Sequence, residues 1–217
     1  MSSATEVHPH PALAHHFESL PEQKDVATFG MWVFLATEVL FFGGLFLAYT
    51  LYRALNPRAF AEASHHQNLF LGAINTAVLI GSSLTMAMAV HSAAHGRRRS
   101  LVAYLLSTIV LGGVFLGIKV VEYAAKFEHH LVPGPHFRYE GPFAGGAQLY
   151  FSLYFAMTGL HALHMVVGIG ILATLAVLAH RGKFTVEYNS PVEIAGLYWH
   201  FVDIIWIFLF PLLYLIA

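Results

Sequence analysis

The sequence predicts an all-α fold, an integral membrane bundle of five transmembrane helices. Three observations predict it. Of 217 residues, 57% are hydrophobic and only 11% charged, whereas a soluble domain carries about 25% charged residues. Five apolar runs approach or exceed the ~20 residues that cross a bilayer as a helix. None of these runs alternates polar and apolar residues over ~10 positions, as strands of a membrane barrel do. The net charge of −1 leaves no basic footprint for nucleic acid. The absence of cysteine excludes disulfides, thiolate metal sites and covalent haem attachment through cysteine.

The first run covers residues 26–52, with Glu38 as its only charge. The residues before it are polar and include Glu6, Glu18, Glu22 and Asp25. They lack the basic start and immediate apolar core of a secretory signal. Residues 1–25 are therefore expected to form a tail, and 26–217 a single five-helix domain. Within the tail, "HPHPALAHH" concentrates four histidines, a pattern that suits metal binding, a flexible tail, or contact with the membrane surface or a partner. The second run, 69–90, has neither charge nor histidine. The third, 101–118, is uncharged and continues towards Tyr123. The fourth, 147–179, has His161 and His164 as its only ionisable side chains, and its length predicts a helix that tilts or projects beyond the bilayer. The fifth, 194–217, carries His200 and Asp203. The longest connection, "KFEHHLVPGPHFRYEGPFAGG", is marked as a loop by its Pro and Gly.

Lysine and arginine predict the orientation. Lys24, Arg97, Arg98, Arg99, Arg181 and Lys183 fall on one side, and Arg53, Arg58, Lys126 and Arg138 on the other. The first group sits in short segments beside helix ends. This places the N-terminus in the cytoplasm and the C-terminus outside, in a bacterial inner membrane.

Polar residues inside the runs are the candidate functional groups, because each costs several kcal/mol to place in lipid. Glu38 reads either as a proton-handling group or as a protonated carboxyl bonded to a neighbouring helix. His161 and His164, three apart, lie near one helix face and could share a metal or bond to adjacent helices. Lys119 and Glu122 are also three apart, which suits an ion pair with Lys119 snorkelling to the outer interface. Glu193, Gly196, His200 and Asp203 follow one stripe of the last helix. Asp203 can accept from His200 or from another helix, and the stripe is expected to join that helix to the fourth and first spans.

Five blocks, in order, carry a family resemblance: "TEVLFFGGLF", "NTAVLIGSSLTMA", "GIKVVEY", "TGLHALHMVVGI" and "GLYWHFVDIIWIFLFPLLYL". Together they resemble subunit III of the cytochrome-c oxidase branch of the haem–copper oxidases, in its five-helix bacterial form. The resemblance implies an accessory subunit without a redox centre, metal or cofactor of its own. Haems and copper would belong to partner subunits, with oxidase subunit I the main contact, other oxidase subunits and membrane lipids around it, bound phospholipid in its clefts, and a respiratory supercomplex as a further setting. It implies a role in proton uptake and in the stability and assembly of the catalytic subunit. Glu38 falls at the family's buried carboxylate position. Glu122, His161, His164, Glu193, His200 and Asp203 fall at its other characteristic polar positions, and the seven together are expected to form an intramembrane polar network. Lys119 has no counterpart in this reading. A quinol-oxidase subunit III, an accessory protein of nitric-oxide reductases, an independent transporter using Glu38, Glu122 and Asp203, and a membrane metalloenzyme using His161, His164 and Glu38 are the alternatives.

Overall fold

The computed structural model describes residues 13–215. The tail histidines His8 and His10 lie outside them, as do the last two residues. Six helices follow in order: α1 (Leu20–Leu55), α2 (Pro57–Ser64), α3 (Leu69–Ala94), α4 (Arg98–Glu128), α5 (Ala144–His180) and α6 (Ser190–Tyr214). All but α2 are long and apolar enough to span a membrane. Large apolar side chains on α1 turn outward, with Leu40 77% and Phe29 71% exposed. In water such a face would be costly; in lipid it is the solvated one.

Helices α3, α4, α5 and α6 pack each against the next, and α6 closes back on α3. Helix α1 lies outside this group, against α5 and α6. The helices extend past their apolar runs, and at the start of α1 and the ends of α3, α4 and α5 capping rather than hydropathy sets the boundary. Helix α1 starts at Leu20, inside the segment expected as tail. There Ser19 accepts from the Glu22 N–H at 3.4 Å, the Glu22 carboxylate reaches back to the Glu18 N–H at 3.0 Å, and Pro21 lies in the first turn. Helix α5 has 37 residues, about 55 Å of helix against a hydrocarbon core of about 30 Å.

The extra length of α5 is used at its N-terminal end, where the short helix α2 packs on it. Hydropathy did not reveal α2, since eight residues are too few to register over a span-length window. Its Ala59, Phe60, Ala63 and Ser64 are buried. Gly146 of α5 permits the contact, for a Cβ there would stand 2.4 Å from the Ala59 Cβ. The Phe60 ring fills the space between Tyr49 and Tyr150, 5.5 Å from each.

Three helices end in the same hydrogen-bond pattern, in which the residue after the cap takes a left-handed conformation. Gly96 and Gly182 do so at φ 66° and 72°, with Arg97 donating to Ser92 and Lys183 to Leu178. His130 does so after α4 at φ 54°, with Leu131 donating to Lys126. A Cβ in this region costs about 1–2 kcal/mol. His130→Gly is therefore expected to stabilise the protein by roughly 1 kcal/mol, seen as a higher thermal midpoint in detergent. A lower midpoint would show that the His130 side chain contributes more than its backbone strain costs.

Candidate functional site

Helix α6 is the most enclosed, and its aromatic residues organise the core. The Trp199 indole lies between Gly112 of α4 and Gly168 of α5, where added Cβ atoms would come within 2.8 and 3.0 Å of its ring. Its N–H donates to Ser82 of α3 at 3.1 Å. Two turns on, Trp206 donates to Thr76 at 3.0 Å and meets the Phe115 ring edge-on at 4.8 Å. Carbonyls at the end of α6 have no helical partners and no water in an apolar setting. Tyr49 donates to the Leu212 carbonyl at 2.5 Å and Tyr150 to that of Leu213 at 2.7 Å.

Around this frame the seven expected polar residues do not form one network. They occupy five separate places. Glu38 of α1 meets His164 of α5, Oε2 to Nε2, at 3.2 Å. The other ring nitrogen, Nδ1, lies 2.8 Å from the Leu160 carbonyl. A carbonyl only accepts, so Nδ1 carries a proton. The Nε2–Oε2 contact then holds one further proton, on the imidazole as an ion pair or on the carboxyl as a neutral pair. The two side chains are 17–18% exposed. They line a groove of about 700 Å³ between α1, α5 and α6, whose walls include Met31, Phe34, Val167 and Tyr198.

The second place corrects the expectation for Lys119. It does not snorkel to an interface but lies 4% exposed inside the bundle. Its ammonium donates to Glu122 at 3.1 Å, Tyr154 at 3.2 Å and Tyr214 at 2.9 Å. Glu122 Oε1 accepts from Tyr154 at 2.7 Å and from Tyr214 at 2.5 Å. The Trp206 face lies 5.0 Å from the ammonium. All three ammonium protons are thereby used and both carboxylate oxygens accept, which is what a buried ion pair requires. The partner tyrosines come from α5 and α6, so the lysine did not need to reach water.

His161 and His164 turn away from each other. His161 is 1% exposed, between the Phe115 and Trp206 rings at 5.4 and 5.3 Å. Neither of its ring nitrogens has a hydrogen-bond partner. Residues three apart differ by about 60° around the helix, enough here to place one histidine inward and the other towards α1. Among the described residues no group of three or more His, Asp or Glu side chains is placed to hold a metal ion.

The stripe on α6 also docks differently from expectation. His200 Nδ1 lies 2.7 Å from the Ser83 hydroxyl of α3, and a Cβ on Gly196 would meet Val90 of α3, so this part of the stripe faces the second span rather than the fourth, while only its first residue, Glu193, meets the first span. Asp203 is 3% exposed. It lies within range of Ser83, but neither carboxyl oxygen makes a hydrogen bond of ordinary geometry. His200 thus bonds to Ser83 and not to Asp203. Glu193, at the start of α6, forms an ion pair with Lys24 of α1 at 2.7 Å, with side chains 31% and 43% exposed. It belongs to the surface, and a pair so exposed contributes about 0–1 kcal/mol.

Residues 15–217 match the family model for cytochrome c oxidase subunit III. The chain belongs to the cytochrome c oxidase subunit III family. It is 34% identical over 197 residues to cytochrome c oxidase subunit 3 of Thermostichus vulcanus, covering 90% of this chain and 90% of that one. It is 32% identical over 209 residues to the subunit 3 of Formosania lacustris and 33% over 206 to that of Papio hamadryas, in each case covering 92% of this chain and 72% of the relative.

In this subunit III chain, the residues that sequence reasoning passed over are mainly partners supplied by distant helices: Ser83, Tyr154 and Tyr214. One signal was present. Lys119, Glu122 and Lys126 stand at offsets of three and seven, a single stripe of α4, and all three are buried.

Proposed function

We propose that this subunit III is the accessory subunit of a haem–copper terminal oxidase in a bacterial inner membrane. It lies against the catalytic subunit, which would hold the haems and copper and reduce oxygen with electrons from cytochrome c. The Glu38–His164 pair would support proton uptake into that subunit, and the bundle its stability and assembly. One observation carries this reading: two titratable side chains, Glu38 and His164, meet at 3.2 Å, partly exposed, at the edge of an apolar groove. Within such a pair a proton can move between carboxyl and imidazole at constant net charge, and its partly exposed edge leaves it open to exchange with a neighbouring donor. The groove is of a size and polarity to hold phospholipid acyl chains. It lies in the half of the bundle near Lys24, Arg97 and Lys183, the half assigned to the cytoplasm by the positive-inside rule.

The test starts with the tagged chain, purified in mild detergent and examined by reduced-minus-oxidised spectroscopy. Haem bands in fixed ratio to this chain support the reading. A colourless preparation, from membranes whose oxidase stays intact without the chain, overturns it and favours a transporter. In the haem-bearing complex, Glu38→Gln keeps the shape but cannot exchange the shared proton. Its initial oxygen consumption is expected to stay within about twofold of the parent, because the reaction centre itself is untouched. Its activity should then decay several-fold faster over prolonged turnover. Equal decay rates would remove Glu38 from proton uptake.

A further inference from the structure

At the end of the bundle opposite the Glu38 groove, the last turns of α4, the loop after it and the residues following α2 enclose a cavity of about 640 Å³. Lys126 lines it and is only 5% exposed. Its ammonium donates to the His66 carbonyl, its one hydrogen bond among the described residues. An ammonium has three donors, so two are left without an acceptor. The nearby carboxylates do not take them. Glu122 is engaged by Lys119, Tyr154 and Tyr214, Glu62 interacts with Tyr139, and Glu140 stands on the exposed rim.

The rest of the lining adds donors. His66, His129, His130 and Arg138 surround the lysine. The Arg138 backbone N–H donates to the His130 carbonyl at 2.9 Å, which ties the loop back to the end of α4. Burial, with Lys126 and His129 close by, holds the His66 imidazole below its ordinary range, as a positive local field requires. A second cavity of about 500 Å³ shares His130 and Arg138 and is walled by Phe127, Val132 and Pro133. Phe127 is 61% exposed, so this wall is continuous with the apolar surface of α4.

We propose that the Lys126 cavity is a binding site for a phosphate-bearing anion, filled in the membrane by the head group of an anionic phospholipid. A buried cation with free donors wants several acceptor oxygens at once, and a phosphate offers them in charge-assisted hydrogen bonds. The apolar neighbouring cavity fits the glycerol and upper acyl carbons of a lipid whose phosphate sits on Lys126. The site does not depend on the role proposed for Glu38, which lies near the middle of α1, whereas Lys126 lies in the last turn of α4.

The experiment uses the purified full-length chain, with whatever subunits accompany it, stripped of lipid in phosphate-free detergent. Dihexanoyl phosphatidylglycerol and inorganic phosphate are titrated separately and followed by phosphorus-31 line broadening. Saturable binding of the lipid is expected, weakened about tenfold or more by Lys126→Gln, as loss of a hydrogen bond to a charged group implies. Arg138→Gln, at an exposed side chain whose replacement leaves the fold intact, should weaken it as well and carries the test if Lys126→Gln fails to fold. Binding of phosphate with the same sensitivity, and no gain from the lipid, assigns the site to a free anion. Absence of saturable binding by either probe, or affinities unchanged in the variants, overturns the proposal.

Discussion

Glu122→Gln is expected to destabilise the bundle by about 3–5 kcal/mol, the range for removing one partner of a buried ion pair. The carboxylate is the acceptor for three donors: Lys119, Tyr154 and Tyr214. A glutamine keeps an acceptor oxygen but no charge, so the Lys119 ammonium is left buried without compensation. The double variant Lys119→Met/Glu122→Gln is expected to lose less than Glu122→Gln alone. Methionine removes the orphaned charge while nearly preserving volume, and buried pairs replaced as pairs are often close to neutral. Unfolding in mixed detergent micelles, followed by tryptophan fluorescence, measures both. If the single variant falls within the ~0.5 kcal/mol of an ordinary surface substitution, Lys119 is neutral in the folded protein and the ion pair is not formed.

Trp199→Ala is expected to cost a similar amount, about 3–5 kcal/mol, as a large-to-small change in a core that cannot collapse. The indole touches α4 and α5 through Gly112 and Gly168 and bonds to Ser82 on α3. The reciprocal change, Gly112→Leu, overfills the same space and is expected to cost about 1–3 kcal/mol or more. Combined, the two should be less damaging than their sum, since leucine enters the cavity that alanine leaves. Thermal unfolding of the four proteins in one detergent decides it. Strict additivity would mean that Gly112 and Trp199 do not share a contact.

Both predictions rest on residues whose roles differed in legibility. A carboxylate in an apolar run is conspicuous, so Glu38, Glu122 and Asp203 could be singled out from sequence. Their surroundings could not. Glu38 meets a histidine 126 positions away, and Tyr214 reaches Glu122 across 92. Tyr154 and Tyr214 carry no sequence mark that separates them from the tyrosines of any aromatic-rich membrane helix. The sequence suits an interfacial ion pair of Lys119 with Glu122, because a lysine near a helix end gains by reaching water. With two phenols and a carboxylate at hand it gains more by staying inside.

By itself the sequence determined that the chain spans the membrane, how many times, and to which family it belongs. Transfer of a helix into lipid is close to a sum over its own side chains, so about 20 consecutive residues suffice to decide it. Family membership rests on identity distributed along the whole chain. The tertiary structure alone decided which face of each helix points inward, and hence which polar residues meet. In a soluble helix a polar face contrasts with a buried one. Here the lipid-facing and core-facing sides are both apolar, so residues as different in exposure as Leu40, at 77%, and Leu35, at 7%, read alike. The contrast that sets helix rotation lies in close packing, in glycines shaped to an indole and in serines placed against a histidine, and these exist only once four helices have come together.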